Sequence, residues 1–92
     1  MNQPYVDIPE LTPEELERRY VDMVSHLVLP GTTVTIVTLH CNSGFVVNGE
    51  SHCLRPEQFD EQVGIEKAKE KALRKLAEHV AFHLAQINTP PF

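Results

Sequence analysis

The chain has 92 residues, of which 41% are hydrophobic and 23% charged, and a formal net charge of −5. That length holds one domain rather than two cores, and the mixed composition excludes wholesale disorder. No apolar run approaches the roughly 18 residues of a membrane span, MNQPYVDIPE lacks the build of a secretory signal, and the acidic surplus disfavours a general phosphate binder.

Residues 1–11, with Pro4 and Pro9 and no clear period, read as an extended arm. Leu11-Thr12-Pro13-Glu14-Glu15-Leu16 is a dense helix-start signal: Thr12 can cap, Pro13 suits the first helical position, and Glu15 can close a capping box. Leu16, Tyr20, Met23, Val24, Leu27 and Val28 then recur at helical spacing, so the reading is one helix over 13–28, ended by Leu29-Pro30-Gly31.

Residues 33–54 read as a β-hairpin. Thr33 to Cys41 is rich in β-branched residues, and Asn42-Ser43-Gly44 is turn chemistry in which Gly44 supplies a positive φ. With that three-residue loop Cys41 pairs with Phe45, and Phe45, Val47, Gly49, Ser51 and Cys53 face the core. Gly49 marks either a bulge or a backbone pressed close by a helix. Arg55-Pro56-Glu57-Gln58-Phe59-Asp60 is a corner, and Asp60 caps a last helix over 61–86. Gly64, near its start, marks a close helix–sheet approach. Residues 88–92 read as a tail. The fold class is α+β in the order α–β–β–α, with two helices covering one face of an antiparallel hairpin. Two strands alone are marginal in water, so the sheet is expected to gain strands. The strand Thr33–Cys41 carries neither proline nor charge, and a two-fold homodimer joined along it is the expected arrangement. The competing arrangement has residues 4–9 covering that edge.

Candidate chemistry is thin. His40-Cys41 and His52-Cys53 suggest zinc, but neighbours on a strand point to opposite faces, and Cys53 falls near Thr33, far from Cys41. Two buried structural thiols are the plainer reading, and the same separation argues against a disulfide. His79 and His83 stand at i and i+4 on a helix, a spacing that can hold a metal, yet no acidic partner accompanies them. They read instead as half-buried histidines beside the apolar stripe. Cys41, Cys53, His79 and His83 are thus the weak metal candidates, and no cofactor is implied. Lys67, Lys71, Arg74 and Lys75 are the candidate nucleic-acid contacts. An α–β–β–β–α order with a basic last helix is the plan of double-stranded-RNA-binding domains, but no third strand is evident and Glu66, Glu70 and Glu78 interleave. No Gly-rich phosphate loop or catalytic constellation is present, so the chain reads as non-enzymatic.

One ordered series stands apart: Pro30-Gly31-Thr32-Thr33, a β-branched strand, Gly44-Phe45, Val47, Gly49-Glu50-Ser51, Cys53, Pro56-Glu57, Phe59-Asp60, Gly64, Ala68 and Ala72. It resembles a family of small tailed-phage proteins named after products of an N-four-type podovirus and a Shigella podovirus. The likeness covers about residues 20 to 76. The turn Asn42-Ser43-Gly44 is longer than that family's usual Asn-Gly, and the segment after Lys75 lacks its tryptophan and aromatic residues. The resemblance implies a phage or prophage accessory protein of the bacterial cytoplasm, and it carries over no catalytic residues. A host bacterial protein, such as a defence-system component, is then the expected partner; nucleic acid, on the lysine-rich helix, is the alternative.

Overall fold

The computed structural model describes residues 12–88. The arm expected over 1–11 and the tail beyond Asn88 lie outside them. In chain order the elements are helix α1 (Pro13–Tyr20), strands β1 (Val21–Val28), β2 (Thr35–Cys41) and β3 (Val46–Ser51), a 3-10 turn at Pro56–Gln58, and helix α2 (Glu61–Asn88). The strands form one antiparallel sheet in the order β1-β2-β3. The class is α+β, as the sequence indicates, with a hairpin packed under helices.

The first helix is a correction. It stops at Tyr20 rather than Val28, and the chain passes into β1 with no intervening loop. Val21 is already extended (φ −99°, ψ 124°). Separations of four fit a strand as well as a helix, because four is also a multiple of two. Met23 and Leu27 therefore share one face of β1, and Val24 and Val28 share the other. Leu29-Pro30-Gly31 does end an element, but the element is β1. Pro30 and Gly31 occupy the corner of a tight turn in which Gly31 has φ +76° and Thr32 N–H donates to Leu29 O at 3.1 Å. The third strand that the hairpin needed thus comes from Val21–Val28, the second half of the expected helix. It pairs with β2 from Val28↔Thr35 to Met23↔His40, with an irregularity at Asp22. β2 is central and β1 covers that edge, so the homodimer expected along Thr33–Cys41 cannot form; residues 4–9, the alternative cover, lie outside the described residues.

The hairpin follows the sequence closely. Cys41 N–H donates to Phe45 O at 2.8 Å, Gly44 N–H donates to Cys41 O at 2.9 Å, and Gly44 has φ +90°. Register then runs from His40↔Val46 to Thr35↔Ser51. At the tip, Asn42 ties the hairpin to α1: its N–H donates to Tyr20 O and its Nδ2 to Arg19 O, both at 2.9 Å. Those carbonyls belong to the last turn of α1 and would otherwise lack partners.

α2 packs across β2 and β3. Val37, Leu39, Ala68 and Ala72 are fully buried, and Leu16, Val47, Leu73 and Leu76 complete the core. The helix presents alanine at positions 68 and 72, and β3 presents Gly49 beneath them. A Cβ at Gly49 would fall 2.2 Å from Ala68 O and 2.4 Å from Ala72 N. The glycine is therefore the close-approach device, and no irregularity interrupts the β2–β3 register. Near the start of α2, a Cβ at Gly64 would lie 2.6 Å from Thr35 Oγ1, while Ser51 Oγ donates to Gly64 O at 2.7 Å. Asp60 Oδ1 accepts from Gln62 N–H at 2.9 Å and from Val63 N–H at 3.3 Å, which caps the helix as its sequence predicts. α1 leans on α2 through Leu16 and through an ion pair of 2.9 Å between Glu17 and Lys69.

Candidate interaction surfaces

Alternation along the strands assigns one face of the sheet to the helices and leaves the other uncovered by any described element. Paired residues in neighbouring strands share a face, so the register places Met23, His40 and Val46 in one outer row. Ser25, Thr38 and Asn48 form the next, and Leu27, Ile36 and Glu50 the third. Met23 and Leu27 are each 54% exposed and Val46 is 47% exposed. Within this face Ser25 Oγ and His40 Nε2 share a hydrogen bond of 3.0 Å. Between Tyr20 and Arg55 the chain has no lysine or arginine. The outer face is thus apolar at three of its corners and acidic at the fourth, where Glu50 stands beside Ile36.

The positive charge lies elsewhere. Lys67, Lys71 and Lys75 recur every four residues, one helical turn apart, and all three are exposed on α2. Among the described residues none of the three has an ion-pair partner, whereas Lys69 pairs with Glu17 and Arg74 with Glu70 at 3.2 Å. The exposed Arg74–Glu70 pair contributes little to stability. Three of the four candidate nucleic-acid contacts therefore share one row, and the fourth is held to one side. The start of α2, where a phosphate would find free N–H donors, is closed by the Asp60 carboxylate and followed by Glu61.

The cysteines and histidines divide between two ends of the sheet. Cys53 sits at one end, where Thr33 Oγ1 donates to Cys53 O at 2.7 Å and accepts from Cys53 N–H at 3.2 Å. Cys41 sits at the other, about 27 Å away along the strand, so the two thiols serve neither one metal nor a disulfide. Cys41, His79 and His83 do line one cavity of about 620 Å³, together with Tyr20, Phe45 and Val80. Among the described residues no three such side chains are grouped closely enough to hold a metal. Burial pushes the Cys41 thiol up from its ordinary value, which makes it a poor nucleophile. The histidines correct one expectation, since both are exposed rather than half-buried. His79 stacks edge-on against Phe45, with ring centroids 5.1 Å apart, and Phe45 itself remains 49% exposed on the core-facing side.

Among the described residues no helix is long and apolar enough to cross a membrane. A family model, the Phage protein (N4 Gp49/phage Sf6 gene 66) family, matches residues 11–87. No match was found among curated proteins or among solved structures.

Proposed function

The chain belongs to that phage protein family, and from this premise we propose a non-enzymatic accessory protein that acts in the bacterial cytoplasm by occupying the surface of a host protein. The observation that supports this reading is the uncovered sheet face. Met23, Leu27, Ile36 and Val46 stand on it although the core is complete without them. Apolar side chains left around the rim of a polar face are what a docking partner uses. The acidic Glu50 and the absence of lysine and arginine suit a partner whose contact region is neutral or basic. A defence-system component is one such host protein.

The test compares the natural chain with a Val46→Glu, Asn48→Arg variant as bait in bacterial lysates, with captured proteins identified by mass spectrometry. Both positions are exposed on β3, so the fold is retained. A host protein held by the natural chain and released by the variant is the expected result. Identical capture by both chains refutes the assignment of the sheet face.

A second reading has one observation in its favour. β1 completes the α–β–β–β–α order of double-stranded-RNA-binding domains, and Lys67, Lys71 and Lys75 form an exposed row. Such binding would be steeply salt-dependent and lost on Lys71→Glu with Lys75→Glu. The acidic, self-capped start of α2 weighs against it. A low-salt gel shift with duplex RNA and DNA that shows no complex removes it.

A further inference from the structure

β1 is an edge strand, and its free side can be read from the hydrogen-bond pattern. Leu29 N–H donates to Val34 O at 2.9 Å, so residues 29 and 34 form a hydrogen-bonded pair. Alternation in an antiparallel ladder then makes Leu27–Ile36, Ser25–Thr38 and Met23–His40 the further bonded pairs. The N–H and C=O groups of Val24, His26 and Val28 consequently point away from β2, toward no described strand. The other edge is better guarded. β3 is shorter, carries Glu50, and is held at Gly49 under α2. From Met23 to Val28 the edge of β1 has no proline, lysine, arginine or carboxylate.

We infer that this edge pairs with the same edge of a second copy, giving a two-fold dimer with one six-stranded antiparallel sheet. The pairing rests on β1 alone and holds whether or not the outer face binds a host protein. One register stands out. Pairing Val24 with His26 of the second copy, and the reverse, matches outward-pointing groups on both strands and closes four hydrogen bonds. The same register sets Ser25 opposite Ser25 on the dyad and Met23 opposite Leu27 on either side. Those positions are non-hydrogen-bonded pairs, where side chains approach most closely. Met23 and Leu27, each 54% exposed in the single chain, therefore cover one another twice. Although each chain carries −5, no like charges meet along this stretch. Five paired residues per strand, Met23 to Leu27, bury an area at the small end of specific interfaces, below about 1,200 Å². The association is accordingly weak, with a Kd on the order of 10–100 µM.

Sedimentation equilibrium from micromolar to millimolar concentration tests the pairing on the full chain. The mass should rise from 10.4 kDa toward twice that value, and the amide hydrogens of Val24 and His26 should gain exchange protection with concentration. His26→Pro removes an outward N–H without touching the β1–β2 ladder, and should leave a folded monomer. Ser25→Lys and Ser25→Glu give a second, register-specific check. Each alone should be monomeric, because like charges face each other on the dyad, and an equimolar mixture should restore the dimer. A constant mass of 10.4 kDa overturns the pairing, as does protection of those amides that does not change with concentration. A mixture that stays monomeric, or a folded His26→Pro variant that still dimerises, overturns it equally.

Discussion

Gly49→Ala tests the packing account most directly. The added Cβ would meet Ala68 O at 2.2 Å, Ala72 N at 2.4 Å and Ala72 Cα at 3.0 Å, all of them backbone atoms. Ordinary contact begins near 3.4 Å, so α2 must retreat by about 1.2 Å over β3. No rotamer change can absorb that, because alanine has none and the helix backbone cannot yield locally. Retreat loosens Ala68, Ala72 and Leu76 from Val37, Leu39 and Val47, which together make most of the core. Overpacking of this kind costs about 1–3 kcal/mol, and more where backbone must move. Replacing a strand glycine with alanine returns roughly 0.5–1 kcal/mol of backbone entropy. With the cost at about 4 kcal/mol, above that range because helix backbone must move, the net loss of about 3 kcal/mol lowers the Tm of a domain this size by roughly 12–24 °C. Gly44→Ala is the control: nothing lies within 4 Å of its Cβ, and only the strain at φ +90° is incurred, about 1–2 kcal/mol. Thermal unfolding followed by circular dichroism should rank Gly49→Ala well below Gly44→Ala. A Gly49→Ala melting point within a few degrees of the natural protein's would refute the close-approach argument.

Three further outcomes follow from single contacts. Thr35 is fully buried and its Oγ1 has no hydrogen-bond partner among the described residues, so Thr35→Val should stabilise the fold by about 1 kcal/mol in urea denaturation; a loss of stability would show that the hydroxyl has a partner. Asp60→Ala removes the acceptor of two α2 N–H groups and should cost about 1 kcal/mol, measured the same way. Alkylation of Cys41, followed in a Cys53→Ser background, should reach half its maximal rate at a higher pH than an unstructured cysteine peptide does, because burial holds the thiol protonated; a midpoint at or below the peptide's would contradict the burial.

Much of the fold was legible because glycine, proline and capping residues act locally. Asn42-Ser43-Gly44, Asp60 and Thr12 are settled by a few neighbouring atoms, and the hairpin register follows from the loop length. Of the two readings of Gly49 the close approach is correct, with α2 meeting the strand there. β1 was not legible, for two reasons. Its boundary with α1 carries no glycine or proline, since Asn42, twenty-two residues onward, satisfies the last carbonyls of the helix. Both faces of β1 are also apolar, so its four-residue spacings imitate a helix. The surfaces were less legible still. Nothing local in Lys67, Lys71 and Lys75 distinguishes them from Lys69, whose partner Glu17 lies fifty-two residues away. The gathering of Cys41 with His79 and His83 likewise depends on where α2 crosses the end of β2.

The two faces of the sheet obey different constraints, and the difference bears on function. On the helix side nearly every position is fixed by packing: glycine at 49 and alanine at 68 and 72 because nothing larger fits, valine and leucine at 37, 39 and 47 because they fill what remains. On the outer side folding demands only residues that tolerate an extended backbone, and threonine or a charged residue would serve at Met23, Leu27 and Val46. Exposed apolar side chains there gain nothing for the isolated chain and make its edge more prone to association. Packing among the described residues therefore leaves these three side chains unexplained, whereas coverage by a partner explains all three. A second copy along β1 would cover Met23 and Leu27 but not Val46, which lies two strands away. Val46 is accordingly the residue that separates self-association from host-protein binding, and it is the one to change first.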